Sequence, residues 1–146
     1  MIGILITGCS MQSFDLIRTL RNNYDGEEIH VVGINCDENA LLRDGVYAGY
    51  VVPRITEPNY LPTVLRICEN ENVNVILPYI TAELPIMAEN KSYFEDMGIK
   101  VSVSSPEAIK VANDKVALAK LFPEYMPKQT IVRNALDCIA FATLVG

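Results

Sequence analysis

The chain has 146 residues, half of them hydrophobic and 21% charged, with a formal net charge of −6. That is core-forming sequence for one ordinary domain, and it excludes both a disordered chain and, for want of a run of roughly 20 apolar residues, a membrane-spanning helix. The acidic balance also argues against a surface that holds a phosphate backbone, so neither nucleic acid nor a membrane is an expected partner.

Taken in chain order, buried-strand runs alternate with amphipathic helices. Ile2 to Thr7 reads as a first strand that begins without a basic leader or cleavage site, the pattern of a cytoplasmic protein. A helix from Ser13 to Asn22 can bury Phe14, Ile17 and Leu20 on one face, and a turn over Asn23 to Gly26 leads to a second strand, Ile29 to Asn35. Tyr50 to Pro53 is a short third strand, closed by a proline that cannot donate to the ladder. Leu61, Val64, Leu65 and Cys68 fall on one face of a helix over Tyr60 to Asn70. Val73 to Pro78 is a fourth strand, and Glu83 to Met97 a helix with Leu84, Met87, Ala88, Phe94 and Met97 inward and Gly98 as its cap. Ile99 to Val103 is the fifth strand. Ser104 or Ser105 then opens a helix, the first choice giving a capping box and the second placing Pro106 at its first turn.

The strand and helix order implies right-handed crossovers, hence an α/β, Rossmann-like three-layer fold with a mainly parallel five-stranded sheet. Ligands of such sheets gather at the carboxyl ends of the strands, here Gly8 to Ser13, Cys36-Asp37, Pro53-Arg54, Pro78 to Glu83 and Val103 to Ser105. Four cysteines, Cys9, Cys36, Cys68 and Cys138, lie far apart and with the single histidine, His30, give no metal-ligand spacing. They read as buried, reduced thiols, and no metal site is expected in this chain.

The first loop, TGCSMQS, stands where a dinucleotide fingerprint belongs but carries only Gly8, with Ser10 and Ser13 at the positions of further glycines. An anion held at the helix start and a serine that merely caps the helix are both open readings. Asp37 occupies the place of an acid that bonds a ribose hydroxyl, which keeps a free-standing NAD- or nucleotide-binding module as an alternative; an aspartate there also opens turns. A phosphoacceptor receiver domain is excluded, because the acids and lysine it needs after the first, third and fifth strands are absent.

Three stretches, GILITGCS, the run from YVVPRITEPNYLP to EDMGIKV, and SSPEAIKVANDKVALAKLF, resemble the N-terminal region of ATP-grasp enzymes, most of all the carbamoyl-phosphate-synthetase large-subunit-like group. The block from Val75 to Lys115 carries the most specific order: strand, P-x-x-T-x-E-L loop, helix, G-I-K-V strand and S-S-P-E-A-I…N-D-K. ATP-grasp enzymes join a carboxylate to an amine or other nucleophile through an acyl phosphate made with ATP, and the resemblance implies the substrate-side domain of such a ligase. It assigns Lys115 to an ATP phosphate, with Asp114 capping the helix that carries it. It also places Thr81 and Glu83 in the loop bordering the substrate, and Gly8 and Ser10 in the ligand-binding first loop. Glu83 reads equally as a first-turn glutamate favoured by the helix dipole, and Lys115 as one of several solvated lysines.

The same resemblance divides the chain into a Rossmann-like domain, residues 1–122, and a linker with the start of an ATP-grasp domain, residues 123–146. Thr130-Ile131-Val132 is expected as the opening strand of the latter and Asn134 to Leu144 as its first helix. Without the later lid and metal ligands the chain is expected to be an inactive fragment. ATP and magnesium belong to the complete enzyme with a small carboxylate substrate, and neither is expected to bind this chain tightly. A scaffold remains as a third reading, docking a partner through an open sheet edge or through Leu136, Ile139 and Ala140, the same face being a route to a homodimer.

Overall fold

The computed structural model describes residues 1–145. Five strands, β1 (Ile2–Ile6), β2 (Ile29–Asn35), β3 (Ala48–Val51), β4 (Val73–Leu77) and β5 (Lys100–Val101), form one sheet in the order β3-β2-β1-β4-β5. Every pairing is parallel. The chain runs outward from β1 through β2 to β3, then returns to β4 on the other side of β1. The direction of winding therefore reverses between β1 and β4, which is the topological switch point of the sheet.

Successive β1 side chains feed opposite layers, as the pleat requires. Leu5 joins Val32, Ile34, Tyr60, Val64, Met87 and Phe94 on one face, whereas Ile4 and Ile6 join Cys9, Ile17, Val31, Leu41 and Leu42 on the other. Helix α2 (Tyr60–Asn70) and the pair α3 (Leu84–Glu89) and α4 (Lys91–Asp96) supply the first layer; α1 (Phe14–Arg21) supplies the second. The Rossmann-like three-layer expectation holds, with all five strands parallel.

Several local expectations are corrected. Phe14 is 38% exposed, because a 3₁₀ turn over Met11–Ser13 precedes α1 and rotates its inward stripe onto Ser13, Leu16, Ile17 and Leu20. The expected helix from Glu83 to Met97 is a 3₁₀ turn over Thr81–Glu83 followed by α3 and α4, broken at Asn90, whose side-chain amide takes the Ile86 carbonyl at 2.8 Å and competes with the ladder. Met97 is exposed since it lies past the end of α4, where Ile99 N–H bonds Phe94 O and Gly98 N–H bonds Glu95 O in a glycine-capped turn. Strand β3 starts at Ala48 rather than Tyr50. Strand β5 keeps only two residues, because Val103 N–H turns back onto Val101 O at 2.9 Å.

At the amino end of the sheet, His30 Nε2 lies 3.2 Å from Glu71 Oε2, the Tyr50 hydroxyl donates to the other Glu71 oxygen, and the Tyr47 ring lies tilted against the imidazole, ring centres 3.8 Å apart. The lone histidine is thus tied into the packing of β2, β3 and α2. Cys9 and Cys68 are buried as expected, but Cys36 and Cys138 are exposed, the first because it follows the last paired residue of β2 and the second because it lies on an uncovered helix.

The backbone divides into two units, Met1–Lys110 and Val111–Gly146. Helix α5 (Pro106–Asn113) opens with Ser105 as its cap, the Ser105 hydroxyl accepting from Ala108 N–H at 3.3 Å. Within the second unit lie α6 (Lys115–Leu121) and α7 (Ala135–Val145). Thr130 to Val132 forms no strand, and nothing among the described residues pairs with it. Helix α7 begins one residue later than expected, with Asn134 Oδ1 accepting from Asp137 N–H at 3.0 Å. Its Leu136, Ile139 and Ala140 are exposed. No described helix is long and apolar enough to cross a membrane.

Candidate functional site at the switch point

The tip of β1 is held from both sides. Toward β4, Thr7 N–H bonds Leu77 O and the buried Thr7 hydroxyl accepts from Tyr79 N–H, both at 3.2 Å. Toward β2, Cys9 N–H bonds Ile34 O at 2.8 Å, and the side-chain amide of the buried Asn35 donates to Cys9 O at 3.0 Å. Asn35 Oδ1 also accepts Asp37 N–H at 3.0 Å, so one amide side chain fixes two neighbouring loops.

Between these clamps Gly8 turns the chain with φ of 58°, a conformation that costs an L side chain roughly 1–2 kcal/mol. The Ile80 side chain lies directly over it: a β-carbon on Gly8 would stand 2.1 Å from Ile80 Cδ1. Tyr79 next door donates its hydroxyl to Gln12 O at 2.9 Å, which ties the loop after β4 to the turn before α1. Ser10 is half-buried and its N–H bonds the Ser13 hydroxyl at 3.3 Å, so the second serine caps the turn as one of the open readings allowed.

The loop after β4 carries Thr81, exposed, and Glu83, 6% exposed. Burial pushes the Glu83 carboxyl above the usual carboxylate range, and hydrogen bonding with Thr7 and Tyr60 offsets this only in part. Yet neither Glu83 Oε2 nor the Tyr60 hydroxyl has a partner at good hydrogen-bond geometry. The two groups lie close enough for the carboxylate to disfavour phenol ionisation, and burial pushes Tyr60 up still more strongly. Glu83 does stand in the first turn, as one of its two readings has it, and it is buried there rather than facing water.

Gly8, Ser10, Thr81 and Glu83 are thus brought together at the switch point. Lys115 belongs to the second unit, where it is the first residue of α6 and exposed; Asp114 caps that helix, its Oδ1 accepting from Val116 and Ala117 N–H at 2.9 and 3.1 Å. Asp37 opens a turn, its Oδ1 accepting Asn39 N–H at 2.9 Å. Asn35, Tyr60, Tyr79 and Ile80 were not singled out from the sequence. Asn35 had a readable signal, the polar end of an apolar strand; the other three look like ordinary core or loop residues. Both sheet edges are blunted, by Arg43 donating to Gly49 O at 3.1 Å on β3 and by Lys91 Nζ donating to Val103 O at 3.0 Å beyond β5. Among the described residues no three His, Cys, Asp or Glu side chains are grouped to hold a metal ion.

A crevice of this kind is shared by many α/β folds, and comparison with known proteins decides among them. Residues 4–102 match the family described as PylC-like, N-terminal domain. The chain belongs to that family. The PylC-like assignment bears out the N-terminal domain of an ATP-grasp enzyme. No curated protein sequence matches the chain. Among solved structures, the biotin carboxylase domain of a single-chain bacterial carboxylase superposes with a TM-score of 0.61 at 15% identity, covering 99% of this chain and 34% of that one. The biotin carboxylase subunit of pyruvate carboxylase gives 0.58 at 16%, covering 100% and 34%. A complete multifunctional pyruvate carboxylase from Rhizobium etli gives 0.58 at 19%, covering 90% and 13%. At such identities the likeness is one of fold, and the PylC-like chain spans about a third or less of these proteins.

Proposed function

We propose that this PylC-like domain is the substrate-side wall of an ATP-dependent carboxylate–amine ligase that works through an acyl phosphate, in the manner of carbamoyl-phosphate synthetase. The observation that carries the reading is the family match over 4–102 combined with a buried, incompletely bonded carboxyl, Glu83, at the switch point of that same stretch. Thr81 and Glu83 border the substrate carboxylate in this reading, Gly8 and Ser10 shape the first loop, and Lys115 meets an ATP phosphate. An exposed lysine on a capped helix suits that task, since its charge rides on a flexible stem.

ATP and magnesium enter from the complete enzyme. The described residues offer no carboxylate group that fits the metal, so no step runs through it in this domain. What this chain contributes is orientation: a rigid β1 tip and a fixed loop after β4 against which a carboxylate can be placed.

The test is ATP turnover by the polypeptide that joins this domain to its ATP-grasp domain, measured as ADP formed in the presence of candidate carboxylates and amines. Turnover that needs both, with Lys115→Ala raising the KM for ATP about tenfold or more through loss of a charge-assisted contact, supports the reading. NAD binding lost on Asp37→Ala, without ATP turnover, would replace it by the nucleotide-module alternative.

A further inference from the structure

Tyr79 and Ile80, in the loop after β4, hold the first loop at two separate points. The Ile80 side chain covers Gly8, and the Tyr79 hydroxyl donates at 2.9 Å to the carbonyl of Gln12, 67 residues away in sequence. The main chain of Tyr79 is fixed as well: its N–H bonds the buried Thr7 hydroxyl at 3.2 Å, and Thr7 N–H bonds Leu77 O at 3.2 Å. One residue of the loop after β4 therefore grips the β1 tip through its backbone and the turn before α1 through its side chain.

Apolar burial does not account for this seating. Tyr79 and Ile80 are each 42% exposed, and Gln12 is exposed. A phenol at the surface has water as a ready partner, so its bond to a distant carbonyl adds only a modest net free energy; what it fixes is position. Each turn has its own internal bond, Ser13 N–H to Ser10 O at 2.8 Å before α1 and Glu83 N–H to Ile80 O at 2.9 Å before α3. Among the described residues, the bond from the Tyr79 hydroxyl is the side-chain hydrogen bond that joins the two turns. The geometry points to Tyr79 as a positioning residue that makes the glycine loop and the loop after β4 one unit, so that opening of either turn is carried to the other. Thr81 and Glu83 keep their place only while the Met11–Ser13 turn keeps its own.

Tyr79→Phe keeps the ring and removes the bond. In amide hydrogen exchange followed by NMR on this chain, Ser13 N–H and Glu83 N–H should both exchange about two- to tenfold faster in Tyr79→Phe, the change in local opening that one lost hydrogen bond supports. Two amides in turns that the bond does not reach serve as controls and should keep their rates: Leu41 N–H, bonded to Asp37 O at 3.0 Å, and Gly98 N–H, bonded to Glu95 O at 2.9 Å. A response of Ser13 alone, of Glu83 alone or of neither overturns the coupling, and so does an equal response of the controls. Because the acceptor is a main-chain carbonyl, Gln12→Ala should leave both rates as they are. An effect of Gln12→Ala as large as that of Tyr79→Phe would overturn the assignment to Tyr79.

The consequence for catalysis rests on the ligase reading above. In the complete enzyme Tyr79→Phe should raise the KM for the carboxylate substrate about two- to tenfold and leave the KM for ATP unchanged, a split that general destabilisation does not produce. Coupled exchange with no change in the carboxylate KM refutes the substrate-side reading of the loop, whereas uncoupled exchange refutes the role of Tyr79 whatever the enzyme does. The exchange experiment needs no ligase activity, so the two failures are separately visible.

Discussion

Gly8→Ala probes the β1 tip most sharply, because its cost has two separable parts. The backbone part comes from φ of 58°, which a residue with a β-carbon adopts at roughly 1–2 kcal/mol. The packing part comes from Ile80, whose Cδ1 and Cγ1 would stand 2.1 and 2.2 Å from the new methyl, far inside the contact distance of about 3.5–4.0 Å. Ile80 Cβ would be 3.5 Å away, an ordinary contact, so only the outer part of that side chain has to swing aside. Ile80 is 42% exposed and has solvent to swing into, which limits the packing part to about 0.5–1.5 kcal/mol of rotamer strain. The sum is about 1.5–3.5 kcal/mol, below the 5–15 kcal/mol typical of a domain, so the variant should fold. Urea unfolding of Gly8→Ala, Ile80→Ala and the double variant measures both parts. In the double variant the packing part vanishes and about 1–2 kcal/mol remains, giving a coupling of about 0.5–1.5 kcal/mol. Strict additivity would show that Ile80 does not cover Gly8, and a neutral Gly8→Ala would show that the turn is not left-handed.

Phe94→Ala, at a side chain with no exposed surface in the layer under α4, should cost about 3–5 kcal/mol in the same urea assay, and a cost below about 1 kcal/mol would move Phe94 out of the core. Asn35→Asp keeps the acceptor for Asp37 N–H but turns an oxygen toward Cys9 O, so it should destabilise by about 1–3 kcal/mol and speed amide exchange at Cys9; unchanged exchange would remove Asn35 from the clamp. With a thiol reagent at neutral pH, Cys36 and Cys138 should react at once and Cys9 and Cys68 only on unfolding, the buried pair being raised by desolvation; four equal rates would contradict the packing.

The sheet was legible because β1, β2 and β4 are predominantly apolar, with His30, Asn35 and Asn74 as the polar exceptions, and a strand covered on both faces reads that way. Legibility failed at edges. Strand β5 is shortened by a turn at Val103 that no residue pattern announces, and Thr130-Ile131-Val132 has strand composition but no pairing partner among the described residues. Helical periodicity found Ile17 and Leu20 in the stripe of α1 but also put Phe14 there, which the 3₁₀ turn ahead of the helix leaves exposed while Ser13 is buried. The long helix was divided for a chemical reason, an asparagine whose amide competes with the backbone. For the site, the positions of the loops followed from topology, and the resemblance singled out Gly8, Ser10, Thr81 and Glu83 within them. Their surroundings could not be read in this way, because the contact of Tyr79 with Gln12, or of Ile80 with Gly8, joins residues far apart in sequence and depends on side-chain packing rather than on spacing.

Those surroundings change what the switch point can do. In a dinucleotide-binding loop, glycine leaves room for a phosphate to approach the backbone. Here the room over Gly8 is filled by Ile80, and the turn before α1 is tied to Tyr79. A diphosphate laid along this loop would have to displace both side chains. The polar groups of the loop after β4 are instead Thr81, which is exposed, and Glu83, which is buried. A domain whose glycine loop is closed and whose next loop is polar is suited to positioning a small substrate rather than to holding a nucleotide by itself. Opening the glycine loop alone should therefore not create a cofactor site. Ile80→Ala is expected to leave NAD binding undetectable by calorimetry, and a measurable NAD affinity in that variant would refute the argument.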